Sequence, residues 1–326
     1  MQVRPHGVPE FNLEGYNQEL LRMGFTIATK TLKAIEVGLQ LDQGALFRTY
    51  LGKVLPNSKD AYRGVDSPFR SHLGASVIGS ECARQIWYGF RWSTRPNFKG
   101  RILRLFNRGH LEEARFISLL LMIGCVVYSQ DDQGNQFRIS DCGGHFGGSG
   151  DGVANGIPDV PEGHYTLLEF KTHNDKSFKK LKVEGVRASK FEHFVQMQTY
   201  MRKMGIAYAL YMAVNKNDDE LHAEIITIQT EIGDRFIDRA RQIIFMRDPP
   251  KKINESPGWF ACSWCDHKPV CHLRSNPDKN CRTCDYSIPG EDGLWYCGDN
   301  SPMKALSEQD QLEGCVRYLP ASSFGK

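Results

Sequence analysis

Residues 149–173, SGDGVANGIPDVPEGHYTLLEFKTH, carry two carboxylates and a cation at spacings that suit phosphodiester hydrolysis. Asp151 falls on an expected strand, and Glu169 and Lys171 stand two apart on the next. Side chains alternate along a strand, so Glu169 and Lys171 share one face and Phe170 turns to the other. A hairpin through the turn at 157–163 brings Asp151 onto the same face. Carboxylates so placed can hold Mg²⁺ or Mn²⁺, which lowers the pKa of its bound water, while the lysine orients that water. Solvated surface charge is the plainer explanation of the triplet taken alone.

Cysteines form the second constellation. They stand at 82, 125, 142, 262, 265, 271, 281, 284, 297 and 315, with seven of the ten in the last 65 residues. Behind an enzyme-sized segment, and with two C-x2-C pairs, they point to metal or iron–sulfur ligation in a reducing compartment rather than to disulfides. Cys262, Cys265 and Cys271 make C-x2-C-x5-C, one ligand short of a closed site. His267 or His272 completes a local zinc site; the distant Cys82 is the other candidate. Cys281, Cys284, Cys297 and Cys315 make C-x2-C-x12-C-x17-C, which suits structural zinc in a zinc-ribbon-like module too small to bury a core unaided. Cys125 and Cys142 lack partners at ligand spacing and are expected to be core thiols.

The elements that must position these residues follow from periodicity and turn signals. Helices are expected over 20–41, over 77–90 with Ser76 as N-cap, and over 101–122, 191–204 and 231–246. Strands are expected over 126–128, 136–139, 165–171, 207–214 and 223–230, with one more starting at Val153. The order is helices, then a strand–hairpin–helix–strand–strand–helix core, then a turn-rich tail. The fold class is therefore α/β, a central mixed sheet flanked by helices.

Two further features join the triplet: His110, in RGHLEEARF on the helix over 101–122, and Gln196 with Tyr200, in QMQTY one turn apart. With Gly148-Ser149-Gly150-Asp151 and Glu169-Phe170-Lys171, they stand in the order found in the RecB-like branch of the PD-(D/E)XK nuclease superfamily, which the chain resembles over roughly residues 72–275. The resemblance implies a restriction-endonuclease-like core in which His110, Asp151, Glu169 and the backbone carbonyl of Phe170 ligate Mg²⁺ or Mn²⁺. It also implies that Lys171 assists the attacking water and that Gln196 and Tyr200 position DNA. Gly150 stands where the superfamily's name has proline. A literal Pro158-Asp159 lies in the turn PDVPEGH, and Asp151 is preferred to Asp159. Glu112 and Glu113 are expected to be solvated or to support the site, Glu113 lying three residues on from His110 within reach of the same area, and Gln198 is expected to be a spectator.

The context of Cys82, GASVIGSECARQIWYGFRW, is similar to the opening helix of the iron–sulfur subset of this branch, which includes the AddB nuclease domain and CRISPR-associated RecB-like exonucleases. That similarity implies a [4Fe–4S] cluster on Cys82, Cys262, Cys265 and Cys271. The domains expected are a helical extension over 1–70, a nuclease domain over 71–275 and a zinc module over 276–326.

Lysine and arginine exceed aspartate and glutamate by only 41 to 38, which excludes a histone-like polycation. A local basic segment, Lys176, Lys179, Lys180, Lys182, Arg187 and Lys190, is expected to contact DNA phosphates, with Phe178 and Phe191 stacking on bases. No apolar run approaches the ~20 residues that cross a bilayer, and residues 1–16 have no secretory h-region, so a cytoplasmic protein is expected, in the host cytoplasm if phage-encoded. No P-loop occurs, so a helicase, or a single-strand binding or annealing protein, would act in trans. The activity expected is a metal-dependent DNA exonuclease serving recombination, repair or phage DNA processing. The alternatives are a structure-specific endonuclease and a non-catalytic iron–sulfur/zinc DNA-binding protein.

Overall fold

In the computed structural model, residues 25–64, 67, 69–131, 136–299 and 302–324 are described. The strands that form the central sheet are β1 (Thr26–Ile27), β3 (Val126–Tyr128), β6 (Gly152–Asn155), β7 (Thr166–His173), β8 (Tyr208–Asn215) and β9 (Leu221–Thr227). Their spatial order is β1-β9-β8-β7-β6-β3. Only β7 and β8 run parallel, so the sheet is mixed. β7 and β8 are buried on both faces, which is why TLLEFKTH and YALYMAVN read as apolar runs rather than clean alternations.

Helices cover both faces. On one lie α3 (Ala83–Phe90), α5 (Asp175–Ser189), α6 (Phe191–Met204) and α7 (Thr230–Phe245), packing Phe178, Phe194 and Phe236 with Leu167 and Tyr211. On the other, α1 (Thr29–Leu41) and α4 (Gly100–Met122) bring Ile35, Phe116 and Leu120 against Leu168, Phe170 and Met212. Helix α2 (Ala45–Val54) packs on α4. Neighbouring residues of β7 thus feed separate cores, as strand alternation requires.

A second sheet joins β2 (Leu73–Gly74), β5 (Phe146–Ser149) and β4 (Arg138–Asp141). The tail folds into β10 (Ser287–Pro289), β11 (Trp295–Cys297) and β12 (Lys304–Leu306) with short helices α8 (Phe260–Ser263), α9 (Lys268–His272) and α10 (Glu308–Glu313). Trp295 belongs to the same core as Phe90 and Trp87. Arg282 lies 3.7 Å over the Trp92 ring and donates to Phe90 O at 3.1 Å and Ser71 O at 2.8 Å. This buried guanidinium is satisfied by carbonyls, as a buried charge must be.

Several elements differ from expectation. The first helix begins at Thr29 rather than 20: Thr26–Ile27 pairs with β9, and residues 20–24 lie outside the described residues. Ser76 caps no helix. Residues 75–79 form turns, because the chain passes so close over the start of α6 that a Cβ on Gly79 would lie 2.8 Å from Glu192 Cα. The helix starts at Ala83 instead, capped by Cys82, whose sulfur accepts from Gln85 N at 3.3 Å. The strand expected over 136–139 is Arg138–Asp141 and pairs with β5, which lies inside the glycine-rich stretch and was not expected to be a strand. Asp151 sits in the bend before β6 and not on a strand.

Candidate active site

The site forms where β6 stops and β7 continues. The two strands pair from Gly152↔Leu168 to Ala154↔Thr166. Just beyond that pairing, the Phe170 N–H donates to Asp151 Oδ2 at 2.7 Å, so a carboxylate replaces the missing strand partner. Phe170's ring stacks on Phe116 in the opposite core, centroids 4.9 Å apart. On the site face, Lys171 Nζ donates to Glu169 Oε1. From α6, Gln196 Nε2 donates to Glu169 Oε2 at 3.2 Å, and Tyr200 one turn on donates to Ser149 O at 3.0 Å. Tyr200 reaches that carbonyl only because residue 148 has no side chain: a Cβ on Gly148 would sit 2.3 Å from the phenol oxygen. From α4, His110 Nδ1 lies 3.4 Å from Glu113 Oε1, and Glu113 interacts electrostatically with Asp151 and Lys171.

Three carboxylates therefore share one lysine and one histidine. Burial, against the pull of Lys171, pushes Glu169 up to about 7, with Asp151 adding to the rise. Burial likewise raises Asp151 and Glu113, against Lys171 and His110 respectively. Burial works against the Lys171 charge, but Glu169 and Asp151 outweigh it and hold the ammonium protonated. The hydrogen bond to Glu113 raises His110. Among the described residues, no group of three or more His, Cys, Asp or Glu side chains stands in metal-holding geometry. Lys171 takes Glu169 Oε1 and the Phe170 amide takes Asp151 Oδ2. The donor set nonetheless fits a hard divalent cation: oxygen ligands, excess negative charge, and carboxyls that burial strains toward protonation unless another cation is present.

The remaining expected residues divide clearly. Asp159 is engaged elsewhere, accepting from Thr31 N and Thr31 Oγ1, each at 2.7 Å, at the start of α1. Glu112 is not solvated but buried, 3.4 Å from Arg115. Gln198 stays out of the site yet is no spectator: its amide donates to Thr227 O at 3.0 Å and its carbonyl accepts from Gln229 N at 2.6 Å, tying α6 to the strand beyond. Most of the basic segment lies on α5, and three of its lysines are paired: Lys179 with Asp175 at 2.9 Å, Lys180 with Glu184 at 3.6 Å, and Lys182 with Glu220. Phe178 is fully buried and cannot stack on bases, while Phe191 packs against Phe194 and Phe236.

A polar chain beside the site escaped the sequence reading. His173 continues the period-two series of Glu169 and Lys171, and its Nε2 lies 2.9 Å from the Tyr211 hydroxyl. His193 Nδ1 lies 3.0 Å from the same hydroxyl, and Tyr211 is the register partner of Glu169 on β8. Burial lowers His173 to about 4 and His193 well below the ordinary range, so both are neutral. The period-two series was the available signal for His173; the other two depend on register and helix packing.

All ten cysteines are free thiols. Cys82, Cys262, Cys265 and Cys271 line one cleft, together with Arg84, Lys252, His267 and His272. Cys281, Cys284, Cys297 and Cys315 line another. Cys125 and Cys142 are buried in the two cores.

Fold and site together define the class: a mixed α/β chain with a buried carboxylate–lysine cluster on an inner strand of its central sheet. No protein-family model matches the chain, and no curated protein matches it. Among solved structures, SSO0001 is similar at 14% identity and a TM-score of 0.38, covering 72% of this chain and 99% of its own. LHK-Exo in complex with dAMP is similar at 15% identity and 0.37, covering 53% and 88%. The alkaline exonuclease LHK-Exo from Laribacter hongkongensis is similar at 16% and 0.36, with the same coverage. No helix among the described residues is long and apolar enough to cross a membrane.

Proposed function

We propose that this chain is a divalent-metal-dependent DNA exonuclease of the RecB-like PD-(D/E)XK kind. The observation that carries the reading is the convergence of Asp151, Glu169, Lys171 and Gln196, with Glu113 and His110 of α4 in electrostatic reach of them. Asp151, Glu169 and His110, with the Phe170 carbonyl, would hold Mg²⁺ or Mn²⁺, which supplies a Lewis acid and an acidified water. Lys171 stays charged and hydrogen-bonds both water and phosphate oxygens. Gln196 fixes the Glu169 carboxylate, and Tyr200 ties its helix to the loop that carries Asp151.

The cysteine clefts extend the proposal. Cys82, Cys262, Cys265 and Cys271 would hold an iron–sulfur cluster between the start of α3 and the tail. Burial raises the Cys271 thiol, and Arg84 and Lys252 oppose that rise. Cys281, Cys284, Cys297 and Cys315 would hold structural zinc. Both depend on reduced thiols, which suits the cytoplasm.

End-labelled linear DNA and covalently closed circles, incubated with Mg²⁺, Mn²⁺ or no added metal, test the reading. Metal-dependent loss of linear DNA alone supports the exonuclease. Cutting of circles replaces it with an endonuclease, and absence of both removes the catalytic reading.

A further inference from the structure

Helix α4 carries side chains that the chemistry above leaves unused. Leu103, Phe106, His110 and Glu113 fall at i, i+3, i+7 and i+10, so they share one helix face. The last two belong to the site. The first two are exposed large apolar side chains, Leu103 at 53% and Phe106 at 45%. Phe98, exposed at 43%, meets Phe106 edge-on with ring centroids 5.1 Å apart. Around the helix run Arg101, Arg104 and Arg108, and no Asp or Glu occurs in the sequence between Glu81 and Glu112. None of the three arginines enters an ion pair among the described residues, in contrast to Lys179, Lys180 and Lys182 of α5. Arg108 instead donates to Lys216 O at 3.2 Å, which sets it beside a second cation.

Exposed aromatic faces interleaved with unpaired arginines match a single nucleic-acid strand, whose bases stack while its phosphates take the charge. A protein partner of acidic character would satisfy the arginines but leave the aromatic stripe without purpose. We propose that residues 98–108 form a binding surface for unpaired DNA, with bases stacked on Phe98 and Phe106, phosphates on Arg101, Arg104 and Arg108, and the strand leading to His110. The identity of the ligand rests on the nuclease reading of the site. The surface also gives that reading its substrate: a strand end already separated from its complement.

The test is fluorescence anisotropy without added divalent metal, using a labelled mixed-sequence single strand, the same strand made abasic, and a blunt duplex. Phe106→Ala is expected to weaken single-strand binding about tenfold, leave the abasic strand unaffected, and be rescued by Phe106→Trp. The triple variant R101A/R104A/R108A is expected to weaken both strands and reduce the slope of log affinity against log salt by about two. Equal binding of the ordinary strand by wild type and Phe106→Ala overturns the proposal. So does an equal loss on the blunt duplex, or an unchanged salt slope in the triple variant. The expected binding pattern without cleavage by wild type removes the nuclease reading and leaves the surface standing. Cleavage by wild type with unaltered binding by the variants does the reverse.

Discussion

Glu169→Gln separates the cost of burying this carboxylate from the use made of it. Burial, opposed by Lys171 and reinforced by Asp151, lifts Glu169 from the ordinary 4.5 to about 7. A group that binds its proton more tightly in the folded state contributes stability that is complete below the unfolded pKa. That stability is lost as the pH rises through the folded one. The window therefore runs from about 4.5 to about 7. At about 1.4 kcal/mol per tenfold change in proton affinity, the loss is about 3 kcal/mol. Glutamine keeps the shape and does not titrate. Urea unfolding of both proteins at about pH 5 and about pH 8.5, without added metal, should show their stability difference swing by about 3 kcal/mol toward the variant as the pH rises. Mg²⁺ or Mn²⁺ at the higher pH should then stabilise wild type, by about 2.7 kcal/mol at a hundredfold excess over Kd, and leave the variant unmoved. Stability curves that stay parallel across this pH range would refute the assignment of a strained, cation-requiring carboxylate.

Two further outcomes are expected. Gly148→Ala places a methyl group 2.3 Å from the Tyr200 hydroxyl, so it should cost about 1–3 kcal/mol of stability and lower activity by displacing α6, whereas Gly150→Ala, whose Cβ would meet only Leu167 at 3.3 Å, should cost less; unfolding curves and a nuclease assay rank the two. Elemental analysis of anaerobically purified protein should show iron lost and zinc retained in Cys82→Ala, and zinc lost and iron retained in Cys284→Ala.

The central elements were legible because burial writes itself into composition. β7, β8, α6 and α7 lie within about three residues of their expected bounds, since runs such as YALYMAVN have one way to be buried in a sheet. The misses each turn on a contact distant in sequence. Ser76 has the chemistry of an N-cap, but the chain at Gly79 must pass over α6 before a helix can start. β5 was invisible because FGGS has poor strand propensity, yet Gly148 is what lets Tyr200 approach. The lysines of α5 looked like a DNA track, and one neutralising partner, Glu220, lies 38 residues beyond Lys182. The arginines of α4 were in view but spaced among apolar residues, so only exposure set them apart. Glu113, three residues on from His110, was within reach on helical spacing, and Asp151, though in a bend and not on a strand, accepts from the Phe170 N–H beside Glu169.

The central claim is that the Asp151–Glu169–Lys171 cluster hydrolyses DNA with a divalent metal. Release of acid-soluble nucleotides from linear DNA by wild type and by Lys171→Ala, each checked for folding, tests it most directly. Mg²⁺- or Mn²⁺-dependent release by wild type, and its loss in the variant, is the expected result. Release that persists undiminished in Lys171→Ala, or none from wild type with its metals intact, would contradict it.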